Sequence, residues 1–146
     1  MIDMRIKQLF FDRAKVIRAV DKARRAVLSK AGAFIRTAAR SSIRKRKGAS
    51  APGQPPSSHT GLLKKFIYFG YEPDSDSVVI GPVKLNKPGA APSVLEHGGK
   101  TLIQKRRRGR IVRRQVSIKP RPYMGPALEK EQPKLPKLWA GSVRGG

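Results

Sequence analysis

Hydrophobic positions in the first third of the chain follow a helical period. Apolar side chains recur every three or four residues, in a row made of Val16, Val20, Ala23, Val27, Ala31, Phe34 and Ala38 and continued by Ser42. The stripe is widened by Ile17, Leu28, Ile35 and Ile43, and most basic side chains fall outside it. Asp12 stands where a helix N-cap is needed, and no proline occurs before Pro52. We therefore predict a helix of about 30 residues, roughly 45 Å long, which is longer than a small core can cover.

Shorter runs of β-branched and aromatic residues predict strands in the second half. Lys65–Tyr71 and Ser77–Ile80 predict one antiparallel pair, joined by an acidic turn. Thr101–Gln104 and Ile111–Ile118 predict a second hairpin, with Lys105–Arg110 at its tip. The prolines that follow end the last strand, because proline cannot donate to a ladder.

Proline and glycine divide the remaining segments. Gly48–Ser58 has no helix or strand pattern and predicts an extended, polyproline-like course, which suits either a contact arm or a plain linker. Asn86–Pro92 predicts a loop, Ser93–His97 a short helical turn, and Tyr123–Lys130 a short helix. The order of elements predicts an α+β fold. In it, a long N-terminal helix packs on a small antiparallel β-sheet, with an Arg-rich β-hairpin and a short C-terminal helix.

The chain length suits one domain, 1–146. Its predicted parts are the long basic helix (12–47), a Pro-rich arm (48–60), a β-sheet region with the hairpin (61–119), and the C-terminal helix and tail (120–146). Thr60 is predicted to cap a turn, and Gly61 to begin a strand. We expect Tyr123, Met124 and Leu128 to pack on the sheet.

Basic residues dominate the two flanks of the chain. There are 33 Lys and Arg against 9 Asp and Glu, so the formal net charge is +24. Residues 1–48 carry 15 basic and 3 acidic side chains, residues 49–100 carry 5 and 4, and residues 101–146 carry 13 and 2. This charge opposes a compact monomer and favours a polyanion or an acidic protein surface as partner.

The composition leaves little material for catalysis. The absence of cysteine excludes a disulfide scaffold, a thiol nucleophile and cysteine-based metal sites. Gly98 to Thr101 end like a phosphate-binding loop, but Val94 stands where that motif needs its first glycine. His59 and His97 have no second acid placed to orient the imidazole. We therefore expect no enzyme, no cofactor and no metal site.

The Arg-rich segment around the predicted hairpin tip is the strongest binding signal. Its cations are Lys105, Arg106, Arg107, Arg108, Arg110, Arg113 and Arg114. Seven like charges in ten residues repel one another unless an anion neutralises them, so we predict contact with DNA phosphates or an acidic partner. A solvated loop kept soluble by its charge is the alternative. No aromatic side chain interleaves the cations, so DNA contacts would go to phosphates without reading the sequence.

Three segments together resemble a family of tailed-phage proteins. They are Ala51–Ile67 (APGQPPSSHTGLLKKFI), Val79–Val83 with Val94–Gly99 (VIGPV and VLEHGG), and Pro120–Leu128 (PRPYMGPAL). Their order is similar to that of the neck and tail-completion proteins of the minor tail protein Z type, which lie between head and tail. The likeness in layout covers residues 10–143. The segment between Gly99 and Ser117 is variable in such proteins.

The resemblance implies a structural protein of a bacteriophage virion, located in the neck, the head–tail connector region. It implies a homo-oligomeric ring, with six subunits favoured over twelve, that takes part in tail assembly. The implied partners are head-closure, tail-terminator and tail-tube proteins, together with the double-stranded DNA that passes through the channel. No apolar run is long enough for a membrane span or a secretory segment, so we expect synthesis in the host cytoplasm and no membrane contact.

Two further sets of residues receive roles on this basis. We predict a subunit-contact arm at Pro52, Gly53, Pro55 and Pro56. We predict structural joints, without catalytic roles, at Thr60, Gly61, Gly98, Gly99, Pro122, Tyr123, Met124 and Pro126. The alternative function is a free nucleic-acid-binding protein that contacts phosphates through its basic flanks.

Overall fold

A computed structural model of the chain describes residues 12–83 and 91–143. It contains a long N-terminal helix, two small antiparallel sheets and a short C-terminal helix, which confirms the predicted α+β class. Within the described residues the strands form two separate hairpins instead of one continuous sheet. Residues 86–90 of the predicted loop and residues 144–146 of the predicted tail lie outside the described residues.

The N-terminal helix, α1, spans Arg13–Ser42. Asp12 is its N-cap, and one carboxylate oxygen accepts a hydrogen bond from the backbone N–H of Lys15 at 2.9 Å. The predicted helical region, 12–47, is too long at its C-terminal end, because Ile43 is already extended. The hydroxyl of Ser42 donates to the carbonyl of Ala39, a local bond that favours the end of a helix over its interior.

The buried stripe of α1 keeps a strict spacing of four. It consists of Ala23, Val27, Ala31, Ile35 and Ala39, and Ile43 extends it just past the helix. A spacing of four drifts around an axis that has 3.6 residues per turn, so the stripe winds around the helix. The predicted row follows it as far as Ala31 and then departs, since Phe34 is exposed. Val16 and Ile17 are exposed too, in agreement with a helix longer than its core.

The first hairpin follows a single helical turn. Helix α2 spans Leu62–Lys65, and strands β1 (Ile67–Glu72) and β2 (Ser77–Pro82) pair antiparallel. The prediction that Gly61 begins a strand is wrong. Gly61 has φ of +77° and is the N-cap of α2, a left-handed conformation that glycine adopts without strain.

Hairpin β1–β2 lies directly against α1 at Gly32. A Cβ atom at this position would stand 2.7 Å from Cγ2 of Val78 and 2.8 Å from Cδ2 of Phe69. The missing side chain therefore allows the sheet to approach the helix backbone. This close contact explains a glycine in the middle of a long helix, where it costs about 1 kcal/mol relative to alanine.

The C-terminal part closes the core from another side. Helix α3 spans Ala91–His97, so Ala91 and Pro92, predicted in a loop, belong to a helix. Helix α4 spans Met124–Glu131, and a 3-10 turn, Gln132–Lys134, leads into helix α5, Leu135–Trp139. The core cluster consists of Ile35, Ala39, Ile43, Leu63, Ile67, Tyr123 and Ala127.

Tyr123 is 1% exposed within this cluster, and Met124 packs against it, half-buried. The expectation for Leu128 is wrong, because its side chain is 47% exposed. Helix α4 packs mainly on α1, so these residues cover the helix more than the sheet.

The segment Gly48–Ser58 is bound to its own chain and is not a free arm. It has no helix and no strand, as predicted, but the backbone N–H of Ser58 donates to the carbonyl of Arg44 at 3.0 Å. Pro56 is fully buried and Pro55 is half-buried, whereas Pro52 and Gly53 are exposed. A subunit contact through this segment would therefore involve its exposed 51–54 turn.

Candidate site for an anionic partner

The Arg-rich segment forms a long two-stranded ribbon. Strand β3 spans Gly99–Arg107 and β4 spans Arg110–Ile118, paired antiparallel in register from Gly99 opposite Ile118 to Arg107 opposite Arg110. Nine residues per strand give a length of roughly 30 Å. The predicted six-residue tip, 105–110, is too long. The loop is Arg108 and Gly109, with φ of +45° and +78°, the signs that a two-residue type I′ turn requires.

Both faces of hairpin β3–β4 are open. Every side chain from 102 to 115 is exposed, and the contact with the rest of the fold is concentrated at the base, against α3. A two-stranded ribbon without a covering layer is marginally stable in water. Covering either face would therefore stabilise this element.

Strand alternation and register divide the hairpin side chains between two faces. One face, the 103–116 face, carries a set of side chains that line a shallow depression of about 250 Å³. They are Ile103, Lys105, Arg107, Val112, Arg114 and Val116. The 102–115 face carries Leu102, Gln104, Arg106, Ile111, Arg113 and Gln115. Each face thus combines cations with apolar side chains.

The charge of the hairpin has no counter-charge in the described fold. Residues 99–118 include no Asp or Glu. Among the described residues, ion pairs join Arg24 to Asp76 and Lys134 to Glu131, and none involves a hairpin cation. The predicted contact residues, Lys105 to Arg114, are therefore brought together on one projecting element, where their mutual repulsion favours an anion.

The basic residues of α1 behave differently near hairpin β1–β2. Arg24 pairs with Asp76, Arg25 lies 5.2 Å from the ring centroid of Tyr71, and the Nε of Arg36 donates to the carbonyl of Ile67 at 2.7 Å. The hydroxyl of Tyr71 donates to Asp76 at 2.5 Å, which lowers the pKa of that carboxyl and raises the pKa of Tyr71. These contacts attach the first hairpin to the helix.

Glu96 connects two of the segments that carry the family resemblance. Its carboxylate accepts hydrogen bonds from the backbone N–H groups of Tyr123, Met124 and Gly125 at 2.9, 3.0 and 2.8 Å. These groups form the first turn of α4, so Glu96 caps that helix and its charge complements the helix dipole. The sequence alone does not reveal this role, because no local pattern indicates that an acid caps a helix 27 residues later.

Pro120 and Arg121 lie where all three segments meet. The carbonyl of Pro120 accepts from the N–H of Gly53 at 2.9 Å, and the guanidinium of Arg121 donates to the carbonyl of Ser50 at 2.9 Å. Gly98, with φ of +76°, lies against Pro120, since a Cβ there would stand 2.9 Å from the proline Cδ. The predicted joints Gly98, Gly99, Pro122, Tyr123 and Met124 are thus close to this meeting point along the chain.

The other predicted joints lie in different surroundings. Thr60 accepts a long hydrogen bond, 3.4 Å, from the backbone N–H of Leu62 and so sits at the start of α2 beside Gly61. Pro126 is exposed in the first turn of α4. Burial together with the nearby Glu96 charge raises the pKa of Tyr123 to about 12.

Neither a cluster of metal-binding side chains nor a membrane-spanning helix occurs in the part of the chain that the structure describes. No group of three or more His, Cys, Asp or Glu there could hold a metal ion. No helix within 12–83 and 91–143 is both long and apolar enough to span a bilayer. No family model, curated protein or solved structure matches the chain. Hairpin β3–β4 and the resemblance of the three segments are therefore the observations that bear on function.

Proposed function

We propose that the chain is a structural subunit of a tailed-phage neck, which assembles into a ring at the head–tail junction. The observation that carries the proposal is the open, acid-free hairpin β3–β4, with both faces exposed. A ribbon of this kind gains stability when a neighbouring surface covers it, as happens in an assembled particle. The exposed N-terminal side chains of α1, Val16 and Ile17, are a second surface suited to a neighbouring subunit.

The ring gives the positive charge an anion to contact. With about six subunits, six hairpins would place dozens of cations around one channel, and phosphate contacts would be mobile and independent of sequence. The hairpin is then directed toward the channel or toward an acidic neighbouring protein. We favour six copies, with twelve as the alternative, and head-closure, tail-terminator and tail-tube proteins as neighbours.

The test is loss of head–tail joining. Deletion of the gene from its phage should leave full heads and separate tails in electron micrographs, and the full-length chain supplied in trans should restore joined particles. Flanking genes should encode portal, head-closure and tail-tube proteins. Joined, infectious particles without the chain would contradict the proposal.

A free nucleic-acid-binding protein is the second candidate, favoured by the cation density of the hairpin. It predicts tight binding of duplex DNA by a monomer, with an affinity that falls steeply between about 50 and 200 mM salt, by roughly 0.9 in log–log slope per neutralised phosphate. The neck subunit predicts ring assembly and only weak DNA binding. Light scattering of the chain and a salt titration of DNA binding separate the two.

A further inference from the structure

The 103–116 face of hairpin β3–β4 has a mixed character that a purely phosphate-binding surface does not need. Ile103 stands opposite Arg114, and Val112 stands opposite Lys105, so the two apolar side chains are diagonal neighbours. Val116, two residues beyond Arg114, is the diagonal neighbour on the other side of Ile103. These three side chains, the apolar floor, alternate between the two strands along the face, and cations border them.

We propose that this face docks an extended, acidic protein segment that carries apolar side chains between its carboxylates. The inference rests on the proposed function only for the place of this partner in the virion. Its chemistry is fixed by the hairpin itself. Side chains on one side of an extended segment recur about every 7 Å, the same repeat that separates Lys105 from Arg107 and Val112 from Arg114. Carboxylates can therefore meet the cations while apolar groups cover the floor.

DNA fits this surface less well than a protein does. Phosphate oxygens satisfy Lys105, Arg107 and Arg114, but they offer nothing to Ile103 and Val112, which are 38% and 48% exposed. Covering apolar side chains with a charged backbone gains no hydrophobic free energy, whereas covering them with apolar groups removes their surface from water. The hairpin also lacks an aromatic side chain on which a base could stack.

A second copy of the chain does not supply the partner. It has 9 acidic residues in 146, and its densest acidic run, Glu72 to Asp76, carries only proline and serine between the carboxylates, without the apolar side chains that would cover the floor. Asp76, Glu96 and Glu131 are already bonded within the chain, to Arg24, to the first turn of α4 and to Lys134. The acidic segment therefore belongs to a different protein.

The test measures the binding of two peptides, equal in charge and length, to the full-length chain. One repeats Glu-Ser-Val-Ser, so that glutamate and valine follow each other along one side of the extended chain, and the other repeats Glu-Ser-Ser-Ser. Fluorescence anisotropy should show binding of the valine peptide about tenfold tighter at about 200 mM salt, because only this peptide covers the apolar floor. The double substitution Ile103→Thr with Val112→Thr should abolish the difference, since threonine keeps strand propensity but removes apolar area.

The opposite face supplies a matched control. Leu102→Thr with Ile111→Thr makes the same kind of change on the same ribbon, at side chains that are more exposed and separated by Gln104 and Arg113. This variant should keep the tenfold preference. Equal loss in both variants would show that the threonines only weaken the hairpin, and would overturn the assignment of the face.

Other anionic partners are outcomes of the same experiment. A mixed-sequence DNA duplex should bind wild type and both threonine variants equally, with steep loss between about 50 and 200 mM salt. The proposal fails if the valine peptide shows no advantage, or if only DNA or anionic lipid vesicles distinguish the 103–116 variant. Such a failure leaves the neck proposal intact, because that proposal is decided by head–tail joining. Conversely, the chain could prefer the valine peptide while the gene deletion still gives joined particles. That result would refute the neck role and leave the peptide-docking proposal standing.

Discussion

Two antiparallel hairpins of the same chain have opposite relations to the rest of the fold. Hairpin β1–β2 lies on α1, where Phe69 and Val78 contact the backbone at Gly32 and Arg24 pairs with Asp76. Hairpin β3–β4 has longer strands, yet its side chains from 102 to 115 are all exposed. One is covered by its own chain, and the other is left open.

The difference lies in charge as much as in packing. The turn of hairpin β1–β2 carries Glu72, Asp74 and Asp76, so the basic helix attracts it. Hairpin β3–β4 has no acid and is repelled by the same helix. The hairpin that carries counter-charge thus completes the body of the fold, which consists of α1, hairpin β1–β2 and the C-terminal helices, and the hairpin without counter-charge stays exposed.

The largest expected effect on the body comes from Tyr123→Ala. This side chain is buried among Ile35, Ile43 and Ile67, and removal of a buried aromatic ring costs about 3–5 kcal/mol of unfolding free energy. Urea unfolding followed by circular dichroism measures it. Leu128→Ala, at an exposed position of α4, is the control and should change the free energy by less than about 0.5 kcal/mol. A small loss for Tyr123→Ala would show that the core lies elsewhere.

Gly32→Val tests the contact that distinguishes the first hairpin. The new side chain would overlap Val78 and Phe69, so we expect a loss of about 2 kcal/mol and partial separation of hairpin β1–β2 from α1. Ala26→Val places the same side chain at an exposed position of the same helix and controls for helix propensity. Equal unfolding free energies for the two variants would mean that Gly32 is not needed for the approach.

Glu96→Ala tests the cap that fixes α4 beside α3. Three backbone N–H groups lose their acceptor, and we expect a loss of about 1–2 kcal/mol in urea unfolding. Glu129→Ala, at an exposed position of α4, removes the same charge without removing the cap. The same cost for both substitutions would contradict the capping role.

Alkaline pH should weaken the body through Tyr123. Its pKa is raised to about 12 in the fold, above the usual 10, so the folded state favours the neutral phenol. This contribution is complete below pH 10 and disappears as the pH rises from 10 to 12. Tyr123→Phe keeps the ring and removes the proton, so the stability of this variant should fall less over that interval. Parallel pH profiles of wild type and variant would rule out the effect.

The helices and strands of the body were predictable from sequence, but the tertiary contacts between them were not. The helix period and Asp12 located α1, and the alternation of β-branched residues located all four strands. The burial of Ile35 in place of Phe34, the role of Gly32 and the cap by Glu96 depend on elements distant in sequence, which no local pattern encodes. At Gly61, nothing in the neighbouring sequence distinguishes the start of a strand from the left-handed N-cap of a helical turn.

The hairpin that carries the candidate cations, as distinct from their role, was predictable from local sequence. Its signal is composition, a run of cations beside a glycine, and the strand register follows from the turn within the same segment. What sequence could not give was the extent of the strands, which takes Lys105, Arg106 and Arg107 out of the tip and distributes the cations over two faces.

Removal of the hairpin arginines should have the smallest effect on stability, although it should have the largest effect on binding of an anionic partner. Replacement of all six arginines by glutamine, at Arg106, Arg107, Arg108, Arg110, Arg113 and Arg114, should alter the unfolding free energy by less than about 0.5 kcal/mol. These side chains are exposed and form no ion pair within the described fold. Reduced repulsion would, if anything, raise stability.

The matched control removes body arginines. Arg24→Gln with Arg36→Gln breaks the ion pair to Asp76 and the hydrogen bond to Ile67, and should destabilise the chain more than six changes in hairpin β3–β4. In the phage, the six-fold variant should fold yet fail to join heads to tails if the hairpin contacts an acidic protein. It should join them with altered DNA retention or ejection if the hairpin faces the channel. Wild-type infectivity of the six-fold variant would mean that the hairpin cations are only solvated and contact no partner. The two hairpins would then differ in packing alone.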